Sequence, residues 1–380
     1  MKFFLYLKHF PPNGDDLNKG EGTRKAVHGL ASGLAACGAD VTVICEGLED
    51  NFVNFSAGYK IACFANHNLE PCFSIAPTLK AYMLQHISNS LVILNGIFHR
   101  SVYAFSRFLT QHSIPYIVAP HDPYHPSIFQ KNAHLKIPYW LLFEKRLLNQ
   151  ARAIQVLDIR HTEWVRRLWI NTPVLEVPNG FSPQDIHLDS TLTWRQQGVP
   201  QIFFLGRIDA HNKGLDILLN AFAEIVKTSD AELTIQGPDW GDRPILEQQV
   251  TQLALSSKVR FLEPDYQTSP SALIANYDIF CIPSRFEGFS LSALEAMLAG
   301  RVLLISEVAG IAPHVQASGC GIVVKPEADA ISKGFQALIQ RRSEWKTMGL
   351  QGRQYVLEKL DWQQIAAKAL EQYQHLVVKG

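Results

Sequence analysis

The chain has 380 residues, 47% of them hydrophobic and 18% charged, with 35 Lys and Arg balanced by 35 Asp and Glu. This composition excludes a disordered chain, and the lack of a basic surplus argues against a nucleic-acid partner. The length suits two domains of ordinary size. No run of about 18 strongly apolar residues predicts a membrane-spanning helix. The opening MKFFLYLKHF has too short an apolar stretch before Lys8 for a signal-peptide core and reads as a first strand. Six cysteines without a C-x-x-C pair predict buried free thiols in a reducing compartment, and hence a cytoplasmic protein.

In chain order, strands are predicted at 3–7, 41–45, 91–95, 116–120, 153–157 and 174–178. A second set follows at 202–206, 232–237, 259–263, 278–283, 302–306 and 321–325. Helical patterns lie between them, for example Thr23 to Ala36, Leu215 to Lys227 and Phe289 to Ala299. Continuous apolar strands alternating with helices predict an α/β protein with two doubly wound parallel sheets. Turn chemistry at Pro178-Asn179-Gly180 marks the change-over. The domains are therefore expected at 1–184 and 185–360, facing a central cleft, with a last helix in 361–380 packing back on the first. Residues 1–185 hold 17 Lys and Arg against 14 Asp and Glu, and ten of the fourteen histidines. That modest bias permits contact with an anionic surface without requiring it.

Two segments carry chemistry. In FLGRIDAHNKG a strand ends before Gly206, and Arg207 and Lys213 follow in the loop leading to a helix. Arg207 offers a fork of donors and Lys213 a point charge, both suited to phosphate oxygens; two solvated loop cations would look the same. In DIFCIPSRFEGFSLSALEAMLAG, Glu287 and Glu295 are separated by seven residues. If the helix begins near Phe289, they stand on the order of 12 Å apart along its axis. The amides of Gly288, Phe289 and Ser290 would open that helix, where an anion is favoured. The layout suits one long ligand with hydroxyl-rich ends and an anionic middle. Alternatively, Glu287 only complements the helix dipole and Glu295 is an ordinary helix residue. The apolar neighbours Leu291, Leu294 and Leu298 weigh against the latter, because a carboxylate among them needs a partner.

The pairing of GR-x5-KG with E-G-F-x4-LEAM-x-x-G resembles the retaining glycosyltransferases of family 4, which have the GT-B fold of two Rossmann-like domains. That resemblance implies a hexosyltransferase using a nucleotide diphosphate sugar, with a UDP-sugar favoured over a GDP-sugar. It implies that Arg207 and Lys213 bind the donor diphosphate and that Glu287 holds hydroxyls of the transferred sugar. Gly206, Gly288, Phe289, Ser290 and Leu291 would line the donor, and Glu295 would hold the ribose. His121, in VAPHDPYHP, matches the family histidine beside the donor sugar; a capping or turn histidine is the other reading. The four residues expected at the chemistry are thus His121, Arg207, Lys213 and Glu287.

The N-terminal loop departs from the family pattern. The usual glycine pair falls on Glu21-Gly22, and the loop from Pro11 to Gly20 carries Asp15, Asp16 and Lys19. Gly22 still allows close backbone approach to a donor. No Asp-x-Asp occurs in the chain, so no metal and no cofactor beyond the sugar nucleotide are expected. The expected partners are the donor and a glycan, lipid-linked or small-molecule acceptor. The stretch Gln130 to Arg152 interleaves Leu141, Leu142, Leu147 and Leu148 with Lys145, Arg146 and Arg152. It reads either as a surface for peripheral contact with the inner face of a membrane or as an ordinary amphipathic helix over the first sheet. Two other functions stay open: a nucleotide-sugar epimerase on the same fold, and a non-catalytic sugar-nucleotide-binding protein.

Overall fold

The computed structural model describes residues 1–13, 22–67, 72–122, 124–129, 132–186 and 192–378. The acidic positions Asp15, Asp16 and Glu21 and the neighbouring Lys19 lie outside them. The chain divides into two compact units, Met1–Gly180 with Trp362–Gly380, and Phe181–Asp361.

Unit 1 runs β1 (Lys2–Tyr6), α1 (Gly22–Ala36), β2 (Asp40–Gly47), β3 (Asn51–Asn54), β4 (Lys60–Ala65), α2 (Pro77–Gln85), β5 (Ser90–Asn95), α3 (Arg100–Gln111) and β6 (Tyr116–Ala119). It continues with α4 (Ala133–Tyr139), a π-helical turn at Trp140–Glu144, α5 (Lys145–Gln150), β7 (Ala153–Val156), α6 (Thr162–Arg167) and β8 (Val174–Glu176). Among the described residues its sheet has eight strands, ordered β3-β4-β2-β1-β5-β6-β7-β8. All pairings are parallel except β3 with β4. The strand pair β3–β4 is absent from the strands expected from sequence. Its first member has four residues and half-exposed alternation, and the turn at Gly58 (φ +88°) interrupts the apolar run. β3 therefore lacks the continuous apolar signature of a central strand, whereas β4 carries it, with Ile61, Ala62, Cys63 and Phe64 all buried, and sequence reasoning missed it.

Unit 2 runs β9 (Gln201–Leu205), α7 (Leu215–Ile225), β10 (Glu232–Gln236), α8 (Arg243–Gln252), β11 (Val259–Leu262), α9 (Pro270–Ile274) and β12 (Ile279–Ile282). It ends with α10 (Leu291–Leu298), β13 (Val302–Ser306), α11 (Ala312–Ser318), β14 (Gly321–Val324), α12 (Ala328–Gln340) and α13 (Trp345–Lys359). Its sheet is ordered β11-β10-β9-β12-β13-β14 and is parallel throughout. The central strands β9, β12 and β13 bury Phe203, Phe280, Leu303 and Leu304 almost completely, as strands covered on both faces must.

The final helix, α14 (Trp362–Val378), packs on α1 within unit 1. Gly29 and Gly33 of α1 make room for it. A Cβ on Gly29 would meet the Trp362 ring at 2.1 Å, and one on Gly33 the Trp362 carbonyl oxygen at 2.5 Å. Tyr373 then reaches the sheet, its hydroxyl 2.5 Å from Gln155 Oε1.

In each sheet the winding direction reverses between two neighbouring strands. The reversal lies between β1 and β5 in unit 1 and between β9 and β12 in unit 2. Ligands of doubly wound sheets bind outside the carboxyl ends of such pairs. All six cysteines are free; Cys45, Cys63, Cys281 and Cys320 are buried, and Cys37 and Cys72 are half-buried.

Candidate active site

In unit 2 the loops that leave β9 and β12 are tied to each other. The backbone N–H groups of Arg285 and Phe286 both donate to the Asn212 carbonyl oxygen, at 3.0 and 3.3 Å. Arg285 adds a two-point ion pair to Asp216, with Nη1–Oδ1 at 2.6 Å and Nη2–Oδ2 at 2.8 Å. Asp209 holds the β9 loop in shape by accepting from the backbone and side-chain amides of Asn212. Gly214 (φ +67°) sits where a Cβ would come 2.2 Å from the Pro283 carbonyl oxygen, so only glycine lets these loops approach.

This lacing brings Lys213 onto Glu287. Lys213 Nζ donates to Glu287 Oε2 at 2.7 Å, and Ser284 Oγ donates to the same oxygen at 3.2 Å. Both side chains are largely shielded, at 15% and 11% exposure. Sequence reasoning assigned them to different parts of one ligand; here they form one ion pair. Arg207 is exposed and lies over the Trp240 ring, 4.2 Å from its centre. Gly206 follows β9 and donates its N–H to the Gln236 carbonyl oxygen.

Helix α10 opens at Leu291, two residues later than expected, with Ser290 as its cap. Ser290 has φ +76°, a left-handed conformation costly for a residue with a Cβ, and its hydroxyl accepts from the Ala293 N–H at 3.3 Å. The stretch from Glu287 to Glu295 is therefore part turn and part helix. The axial estimate of their separation, built on helix from Phe289, does not apply. Gly288 and Phe289 are buried, and the Phe289 carbonyl oxygen accepts from Ile311 N–H. Glu295 is buried at 4% exposure in the middle of α10.

His121 belongs to unit 1, two residues beyond β6, with φ +63°. Its Nε2 is 2.7 Å from Asn95 Oδ1. Asn95 turns its Nδ2 toward the carbonyl oxygens of Tyr6 and Ile93, so its oxygen faces the imidazole and Nε2 carries the hydrogen. Burial holds the His121 pKa down to about 4, which keeps the ring neutral near pH 7. Gly22 is the exposed first residue of α1.

Sequence reasoning missed Glu144. It is fully buried in the π-helical turn, and its Oε1 accepts from Tyr124 Oη at 2.7 Å and Phe98 N–H at 3.2 Å. Those donors sit on the loops that carry Asn95 and His121. Burial pushes the Glu144 pKa up to about 7, and Oε2, buried without a hydrogen-bond partner, is the oxygen placed to carry the proton. Arg285 and Asp216 were also missed. A charged pair 69 residues apart leaves no periodic signal. Among the described residues, no three His, Cys, Asp or Glu side chains converge as a metal site.

Residues 194–355 match the family model described as Glycosyl transferases group 1, and residues 20–185 match that of Glycosyltransferase Family 4. The two matches run through most of the chain, and the chain belongs to this family of GT-B glycosyltransferases. An uncharacterized glycosyltransferase of Methanocaldococcus jannaschii is 31% identical over 53% of this chain and 55% of its own length. The MMP alpha-(1->4)-mannosyltransferase of Mycolicibacterium hassiacum is 28% identical over 52% and 50%. The chain thus spans about half the length of the curated relatives it matches. The fold is shared with sucrose-phosphate synthase from Thermosynechococcus elongatus, at TM-score 0.76, 19% identity and full coverage of both chains. It is also shared with Anabaena HepE in complex with UDP and glucose, at TM-score 0.71 and 17% identity, over 99% of this chain and 100% of that one.

Proposed function

We propose that the chain is a retaining hexosyltransferase that moves a sugar from a nucleotide diphosphate sugar, with UDP favoured over GDP as carrier, to a glycan, lipid-linked or small-molecule acceptor. The observation that carries the reading is the Lys213–Glu287 ion pair at the switch point of unit 2, beside Arg207 and the start of α10. Cleavage of the bond between the anomeric carbon and phosphate builds positive charge on the sugar and negative charge on the leaving diphosphate. Arg207 and Lys213 would stabilise the latter more in the transition state than in the ground state. Glu287, released from Lys213 by an arriving diphosphate, would accept from sugar hydroxyls. Glu295 is assigned to the ribose. In retention, the acceptor oxygen forms its bond on the face the phosphate leaves, and its proton passes to the departing phosphate oxygen. No metal has a role in this reading.

The UDP-and-glucose complex of HepE supports a UDP-sugar, while the mannosyltransferases among the relatives keep a mannosyl donor in the panel to be tested. Peripheral membrane contact is assigned to the α4–α5 segment, where Leu135, Leu141 and Leu142 are 63–64% exposed beside the exposed Arg146. No described helix is long and apolar enough to cross a membrane. The test is calorimetric titration with UDP- and GDP-sugars. At least one should bind, and Glu295→Ala should weaken it; an unchanged affinity in Glu295→Ala removes the ribose assignment.

A further inference from the structure

Past the carboxyl ends of β9 and β10 the two segments stay paired. Gly206 N–H donates to the Gln236 carbonyl oxygen at 3.0 Å, Ile208 N–H to that of Pro238 at 2.9 Å, and Trp240 N–H to that of Ile208 at 3.2 Å. Ile208 and Asp239 form a parallel bridge within this stretch. Gly237 (φ +149°) permits the approach, because a Cβ on it would run into the Gly206 carbonyl oxygen. Two aspartates fix the turn that follows. Asp239 Oδ1 accepts from Gly241 N–H at 2.8 Å and from Arg243 N–H at 3.1 Å. Asp242 Oδ2 accepts from Ala210 N–H at 2.9 Å, back in the β9 loop.

This backbone framework sets the Trp240 indole, 58% exposed, against the Arg207 guanidinium, whose carbon lies 4.2 Å from the ring centre. Among the described residues no carboxylate pairs with Arg207. The two cations of the site are thus held in different ways. Lys213 is neutralised by Glu287, which an arriving anion must displace. Arg207 is oriented by a ring quadrupole that carries no net charge, so its own charge stays uncompensated. A guanidinium carried over a ring is engaged through its face, and its N–H donors, which lie in its plane, point outward for an anion. In the sheet order β10 flanks β9 on the side away from β12, so Trp240 bounds the site opposite the Lys213–Glu287 pair.

We infer that Trp240 is a positioning residue for the donor diphosphate: its ring presets the Arg207 guanidinium and leaves the full charge for the phosphates. The assignment of the diphosphate to Arg207 rests on the transferase reading above. The test is calorimetric titration of UDP, GDP and inorganic pyrophosphate into wild type, Trp240→Phe, Trp240→Leu, Arg207→Ala and the Arg207→Ala/Trp240→Leu double variant. Trp240→Leu should weaken the diphosphate that binds by about 3- to 10-fold, the scale of one exposed cation–π contact, and Trp240→Phe should restore most of that loss. With Arg207 already replaced, Trp240→Leu should have no further effect. Melting temperatures should stay level, because both side chains are exposed and the loop is held by backbone and aspartate hydrogen bonds. In the free protein, the Arg207 side-chain Nε–H NMR signal should be displaced by the ring, stay displaced in Trp240→Phe and return to the ordinary arginine position in Trp240→Leu. Four results overturn the inference: an undisplaced signal in wild type, no binding of any of the three diphosphates, equal affinity in Trp240→Leu and wild type, or an equal loss with and without Arg207. The last would mean that the indole touches the nucleotide itself. The two readings fail separately. Coupled diphosphate binding without sugar transfer removes the transferase reading and leaves the inference; transfer with equal KM in wild type and Trp240→Leu does the reverse.

Discussion

Lys213 Nζ and Glu287 Oε2 stand 2.7 Å apart although they are 74 positions apart in the chain, and both side chains are largely shielded from water. The cation assigned to the diphosphate and the carboxylate assigned to the sugar thus neutralise each other before any ligand arrives. Lys213→Ala should lower turnover by roughly 10²–10³, the scale of losing one preorganised transition-state donor. Glu287→Gln keeps the shape but loses the charge, and should lower turnover too. Steady-state kinetics of the two single variants and the double variant should be strongly non-additive, because each single change leaves a shielded charge without its partner. Additive effects would mean the two residues work separately.

Arg285 and Asp216 touch no predicted ligand group, yet their two-point pair fixes the loops that do. Arg285→Lys cannot reproduce that fork. It should cut kcat/KM on the order of tenfold to a hundredfold, the cost of slightly misplaced groups, with little change in far-ultraviolet circular dichroism.

Glu144 gives a stability signature in pH. Its folded pKa, about 7, lies above the ordinary 4.5, so the folded state keeps a proton that the unfolded chain releases between those values. Its contribution is fully present below about pH 4.5 and is lost as pH rises through about 7. His121 and His161 act in the opposite sense. Burial holds both down to about 4, so stability falls as pH drops from about 6.5 toward 4. Urea unfolding of wild type and Glu144→Gln from pH 4.5 to 8 should therefore show a difference that narrows, or changes sign in favour of the variant, as pH rises.

Ser290 combines a cap with an unfavourable φ of +76°. Ser290→Gly relieves the backbone and loses little capping, so the melting temperature should stay level or rise. Ser290→Ala keeps the strain and loses the cap, and should cost about 1 kcal/mol. Equal melting temperatures for the two variants would remove the strain argument.

The parallel sheets were legible because their central strands are unbroken apolar runs and the helices between them repeat at 3.6 residues. Strand β3 was not, because an edge strand of four residues lacks that signature; β4 carries it in its buried Ile61–Phe64 run and was missed all the same. Within the site, Arg207, Lys213, Glu287 and Glu295 were visible as residue types at strand and helix ends. The ion pair between two of them was invisible, because it depends on lacing by Asn212, Arg285 and Asp216 across 69 to 74 positions. Glu144 was hidden for another reason: a lone acid in a helix rich in leucine looks solvated until the π-helical turn is seen to aim it inward. The start of α10 was misplaced by two residues because the left-handed Ser290 is not written in its type.

The central claim is that Lys213 and Glu287 serve sugar transfer from a nucleotide donor. Its most direct test is proton NMR of the anomeric signals of an α-linked UDP-hexose incubated with the wild-type protein and with Lys213→Ala. The account predicts slow transfer to water, or faster transfer to an added acceptor, whose first product keeps the α configuration, and near loss of that signal in Lys213→Ala. An inverted product, an epimerised but uncleaved donor, or equal turnover in Lys213→Ala would contradict it.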